Sequence, residues 1–167
     1  MPSPSFIDTL NHYKSLLWPV IQSHLDQIKE FPDYCQLDPE YQSIVDFHFD
    51  MDGDYPNRQG KYLRPSLLLL PAQAMGADLQ SSLTTAAAMQ ISEDWILGHD
   101  DVEDQSDQRR GQPALPKIYG DHLAINAGDA LHVLMWQVLS QNFSQLPPNI
   151  AQKIHHEFFV MLTRTIL

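Results

Sequence analysis

His99-Asp100-Asp101-Val102-Glu103-Asp104-Gln105-Ser106-Asp107-Gln108-Arg109-Arg110-Gly111 carries four carboxylates, Asp100, Asp101, Glu103 and Asp104, within five positions, followed by the adjacent cations Arg109 and Arg110. Upstream, Leu83, Ala87, Ile91 and Trp95 recur at i, i+4 spacing, which predicts a helix from Leu83 to Asp104. On such a helix Asp100 and Asp104 stand one above the other and repel. They do so at the C-terminal end, where the macrodipole is already negative. Stability alone would not choose this arrangement, and it is relieved by taking up protons or by recruiting a cation. The row Glu93, Leu97, Asp100 and Asp104 lies opposite the apolar one, so the helix reads as shared between a core and a cavity.

The flanking segments are also helical. Phe6 to Lys29 carries a stripe of Ile7, Leu10, Leu17, Ile21, Leu25 and Ile28, with Pro19 as a kink. Phe31 to Pro39, containing Cys35, reads as a connection, and Tyr41 to Phe49 as a short helix. Asp50, Asp52 and Asp54 imitate the start of a calcium loop, but Tyr55 stands where that loop needs Gly and Lys61 where it needs Glu. In Gly60-Lys61-Tyr62-Leu63-Arg64-Pro65, two cations lie one helical turn apart at the mouth of the apolar segment Leu67 to Met75, a spacing able to hold a polyanion. Gly111 to Gly120 reads as a loop, Asp121 to Gln141 as a long helix, and Pro147-Pro148 opens a last helix. Its apolar pattern runs on to Thr165-Ile166-Leu167 without a stop signal, which predicts the front part of a longer fold. No strand-like alternation appears, so the expected fold is all-α, with residues 1–167 forming a single incomplete domain.

The formal net charge of -11 over 167 residues argues against the positive surface that nucleic acid or an anionic membrane requires. One cysteine excludes an intrachain disulfide and a thiolate zinc cage. No signal peptide and no membrane span is legible, so a cytoplasmic protein is expected.

Taken together, Gly60-Lys61-x-x-Arg64-Pro65, Asp100-Asp101-x-x-Asp104, Arg109-Arg110-Gly111-x-Pro113 and Ala124-Ile125-Asn126-Ala127-Gly128-Asp129-Ala130-Leu131 resemble the trans-isoprenyl diphosphate synthases, the polyprenyl synthetase family. The resemblance covers the chain from Gly60 to Leu131. It implies a helical bundle around a central apolar cavity, here apparently truncated, and a transferase that condenses isopentenyl diphosphate with an allylic diphosphate. It implies that Asp100 and Asp104 ligate Mg2+ with Asp101 in support. Lys61, Arg64 and Arg110 would hold isopentenyl diphosphate, and Arg109 the allylic diphosphate. Bulk at Trp95 implies a short product, and the family implies a homodimer or association with the missing C-terminal half.

Three departures accompany the resemblance. Glu93 stands where the family often has a diphosphate-binding His, and Pro116 stands where a His usually follows the Arg-Arg-Gly-x-Pro run. Nothing after Leu131 supplies the family's second aspartate-rich motif. The chain alone is therefore expected to be inactive. The alternative is a catalytically incompetent fragment or partner subunit that retains diphosphate binding and dimerisation.

Overall fold

The computed structural model describes residues 5–30 and 37–166. Most of the connection expected over residues 31–39, including Cys35, lies outside the described residues, as does Leu167. The fold is all-α apart from one minimal hairpin: α1 (Phe6–Gln27), α2 (Pro39–Asp52), α3 (Asp54–Asn57), α4 (Leu63–Ala74), α5 (Leu79–Glu103), β1 (Gln108–Arg109), β2 (Gln112–Pro113), α6 (Leu115–Tyr119), α7 (Asp121–Ser140), α8 (Asn142–Gln145) and α9 (Pro148–Ile166).

Helix starts follow local chemistry. Ser5 and Asp8 form a reciprocal capping box on α1, Asp8 N–H donating to Ser5 Oγ at 3.2 Å and Ser5 N–H to Asp8 Oδ2 at 3.1 Å. Asp78 caps α5 by accepting from Ser81 N–H at 2.8 Å. Helix α1 carries Pro19 and buries Tyr13, Leu17, Ile21, His24 and Leu25. The expected stripe is thus right from Leu17 to Leu25 and wrong at Ile7, which lies exposed before the helix reaches the core.

Helix α5 is the central element. Leu83, Ala87, Ile91 and Trp95 are all buried, and Thr84, Thr85, Ala86 and Ala88 are buried beside them, so the N-terminal half is surrounded. It packs most extensively on α7, with α4 and α1 on other sides. The α5–α7 contact is close because it is made of small residues: a Cβ on Gly98 would stand 3.8 Å from Gly128 Cα. The main core draws on α1, α4, α5, α7 and α9, while Met51, Tyr55, Leu115, Ala124 and Ala127 form a second cluster beneath the hairpin.

The loop expected over Gly111 to Gly120 is corrected. Its first part belongs to the β1–β2 hairpin, in which Gln108 pairs with Pro113 and Arg109 with Gln112. Arg110 (φ 54°) and Gly111 (φ 77°) make the turn, the positive-φ pair that matches strand twist. Its second part is α6, ended by Gly120 at φ 84°. Among the described residues no helix is long and apolar enough to cross a membrane.

Candidate diphosphate and metal site

The last turns of α5 turn their three aspartates to different surroundings. Asp100 is half exposed, its side chain at 48 %, and Asp104 is exposed at the C-cap, where its N–H bonds Asp100 O at 2.8 Å. Asp101, rotated inward by about 100° per residue, is fully buried.

Three residues hold Asp101. Arg109 Nε donates to Oδ2 at 2.9 Å and a second guanidinium nitrogen donates to Oδ1, a bidentate fork. Tyr55 Oη donates to Oδ2 and itself accepts from Leu115 N–H at 3.0 Å. Burial pushes the Asp101 carboxyl up, but hydrogen bonds from Arg109, Tyr55 and Ser106 outweigh it and hold the pKa below the usual carboxylate value. Asp101 is therefore ionised and committed, whereas among the described residues Asp100 keeps a long 3.5 Å contact with Arg109.

The other cations converge on the same end of α5. The Arg110 guanidinium lies against Gly60, where a Cβ would come within 2.9 Å of Nη2, so a side chain at this position would push the guanidinium aside. Arg110 also donates to Tyr55 O and to Asp94 Oδ1, each at 2.5 Å. Asp94 is buried, and desolvation pushes it up to about 6 even against the Arg110 pairing. Arg64 meets Glu93 at 2.5 Å. Lys61 is exposed. Six of the seven residues singled out in the sequence thus stand at the C-terminal half of α5 or on the hairpin, Lys61 is the exposed neighbour of Gly60, and the Ala124 to Leu131 run lies behind α5: His99 sits over Gly128 and reaches Asp129 at 3.4 Å.

Sequence reasoning missed Tyr55, Arg58 and Asp94. Arg58 stacks 4.9 Å from the Tyr55 ring centroid and donates to Arg109 O at 3.0 Å and Pro113 O at 2.8 Å, clamping the hairpin. Asp94 was visible as a second acid beside Glu93, but nothing local signals Tyr55 or Arg58, whose partners are distant in the chain.

Beneath Asp100 a cavity of about 520 Å³ is bounded by Trp95, Ile96, His99, Asp100, Glu103 and Thr165. Farther down the α5–α9 seam, an apolar cavity of about 370 Å³ is lined by Leu68, Met89, Ile154, Phe158 and Met161 among others. Trp95 stacks on His132 with ring centroids 4.2 Å apart, and His132 Nε2 accepts from Trp136 Nε1–H at 2.9 Å.

The donor set suits a hard divalent cation. Asp100 and Asp104 offer solvent-facing carboxylate oxygens, the one or two protein ligands that magnesium takes beside water and phosphate oxygens. Among the described residues no group of three or more His, Cys, Asp or Glu side chains assembles as a complete cage.

Residues 51–165 match the Polyprenyl synthetase family. The chain is 43 % identical over 82 residues to a geranylgeranyl diphosphate synthase of Methanosarcina mazei, covering 49 % of this chain and 25 % of that protein. It is 33 % identical over 108 residues to a (2E,6E)-farnesyl diphosphate synthase of Mycobacterium tuberculosis, covering 62 % of this chain and 30 % of that one. The solved geranylgeranyl pyrophosphate synthetase of the archaeon Geoglobus acetivorans superposes with a TM-score of 0.72 at 27 % identity, covering 92 % of this chain and 45 % of its own. The chain thus spans about a quarter to a third of these curated relatives and under half of that solved structure.

Proposed function

This chain belongs to the polyprenyl synthetase family, and from that membership we propose that it builds one wall of a magnesium-dependent prenyltransferase site. The reaction is condensation of isopentenyl diphosphate with an allylic diphosphate to a short-chain polyprenyl diphosphate. The observation that carries this reading is the division of labour at the end of α5. Asp100 and Asp104 remain open for a cation, while Asp101 anchors Arg109 beside them. Bound magnesium supplies neutralisation of charge on the departing diphosphate.

The chain's own residues do the rest. Arg109 reaches from the hairpin toward the open acids, able to donate to a diphosphate oxygen from its nitrogen facing Asp100. Lys61, Arg64 and Arg110 lie on the α4 side for the second diphosphate. The apolar cavity between α4, α5 and α9 would receive the isoprenoid tail and keep water from it. Met89 lies about 16 Å along α5 from Asp100 at 1.5 Å per residue, which suits a short tail. The stacked Trp95 and His132 form a rigid side wall.

A second reading, a subunit that retains diphosphate binding without turnover, is favoured by the engagement of Arg64 and Arg110 with Glu93 and Asp94. Calorimetry with inorganic pyrophosphate tests what the readings share: a magnesium-dependent component, additional to any binding at the cations alone, should appear and be lost in the Asp100→Asn, Asp104→Asn double variant. Absence of that magnesium-dependent component would reject the metal site. Incubation with isopentenyl diphosphate, labelled allylic diphosphate and Mg2+ separates them, since labelled product from this chain would sink the second.

A further inference from the structure

Three cations are assigned above to one diphosphate, yet two of them already hold a carboxylate. Arg64, its side chain 59 % exposed, meets Glu93 Oε1 at 2.5 Å. Arg110 meets Asp94 Oδ1 at 2.5 Å, and Gln90 Nε2 braces Asp94 at 3.2 Å. Among the described residues Lys61 makes no ion pair. The cluster of Lys61, Arg64, Arg110, Glu93 and Asp94 therefore carries a formal charge of only +1, where the three cations alone would carry +3.

Glu93 is not held there by other bonds. Its second oxygen, Oε2, is buried with no hydrogen-bond partner among the described residues, an arrangement that a purely structural carboxylate avoids. Arg64 reaches it from solvent and is free to turn to another acceptor. A diphosphate offers several charge-assisted acceptors at once, so it can outbid one carboxylate, whereas a small monoanion cannot.

We infer that Glu93, with Asp94 behind it, is a built-in anionic occupant of the isopentenyl diphosphate end of the site, and that a ligand enters by displacing Glu93 from Arg64. Glu93 is thus a specificity-determining residue that selects polyanionic diphosphates over simple anions. This rests on the reading of Lys61, Arg64 and Arg110 as diphosphate cations.

The test uses the full chain and inorganic pyrophosphate without magnesium, in excess EDTA, so that the acidic end is silent. Replacement by Gln keeps the shape of Glu93 and removes its charge. Glu93→Gln should tighten pyrophosphate binding by roughly tenfold, the scale of one freed charge-assisted hydrogen bond, and should raise affinity for inorganic phosphate as well. Adding Arg64→Met should erase that gain. Unchanged or weaker binding by Glu93→Gln overturns the inference, and so does a gain that survives Arg64→Met undiminished, because it would reflect net charge alone. Pyrophosphate binding that is indifferent to both Lys61→Ala and Arg64→Met removes the underlying site assignment, and the inference with it. A loss confined to the Glu93 comparison leaves that assignment standing.

Discussion

At the level of single residues, adjacent acids in one motif do different work. Asp100 and Asp101 differ only by the rotation of one helix position, yet one is half exposed and the other fully buried. Tyr55→Phe should destabilise the protein by about 1–3 kcal/mol, because it leaves the Leu115 N–H without its acceptor and removes one donor from Asp101. Chemical denaturation would measure this, and a change within a few tenths of a kcal/mol would show that the contact is energetically idle. The identity and spacing of the acids were legible in the sequence. Their anchoring was not, since Tyr55 lies 46 positions away from Asp101 and meets it only through tertiary packing.

At the level of elements, the long helices were legible and the short pieces were not. Helix α5 declared itself through Leu83, Ala87, Ile91 and Trp95, and its true start four residues earlier followed from the Asp78 cap. The hairpin and α6 were hidden inside an expected loop, because two-residue strands and a five-residue helix are too short to establish a period. The turn depends on Gly111 at φ 77°, so Gly111→Ala should cost about 1 kcal/mol and loosen Arg109 and Arg110 together. Paired measurements of stability and pyrophosphate affinity would check both effects. Gly128→Ala would press a methyl to 2.4 Å from His99 Cδ2 and drive that ring from the α5–α7 seam. About 1–3 kcal/mol should be lost through overpacking, visible as a lowered Tm.

Across the whole molecule, buried acids make stability depend on pH. Burial pushes Asp52, whose Oδ1 has no partner, up to about 7, and Asp94 up to about 6. Both bind more protons folded than unfolded in that window, so their contribution is fully present below about pH 4 and is lost as pH rises toward 7. Asp101 acts oppositely: its lowered pKa gives stability that is present above the unfolded value and lost in stronger acid. Tm should therefore be higher near pH 5 than at pH 8, and Asp52→Asn should reduce that difference while leaving Tm near pH 4 unchanged. Equal Tm values at pH 5 and pH 8 would contradict the assignment. The excess of acids behind the net charge of -11 was visible from composition, but the burial of Asp52, Asp94 and Asp101 among them needed the packed fold.

The aromatic column beside the cavity has an optical consequence. Trp95 faces His132 at 4.2 Å and His99 at 6.2 Å, and Trp136 donates to His132. Indole emission responds to the electric field across the ring. His99 adjoins Asp100, and the arrival of a cation or a diphosphate there alters the electric field that Trp95 experiences. The protein therefore contains its own dye, and ligand titrations can be followed by intrinsic emission, with Trp95→Phe identifying the reporting ring.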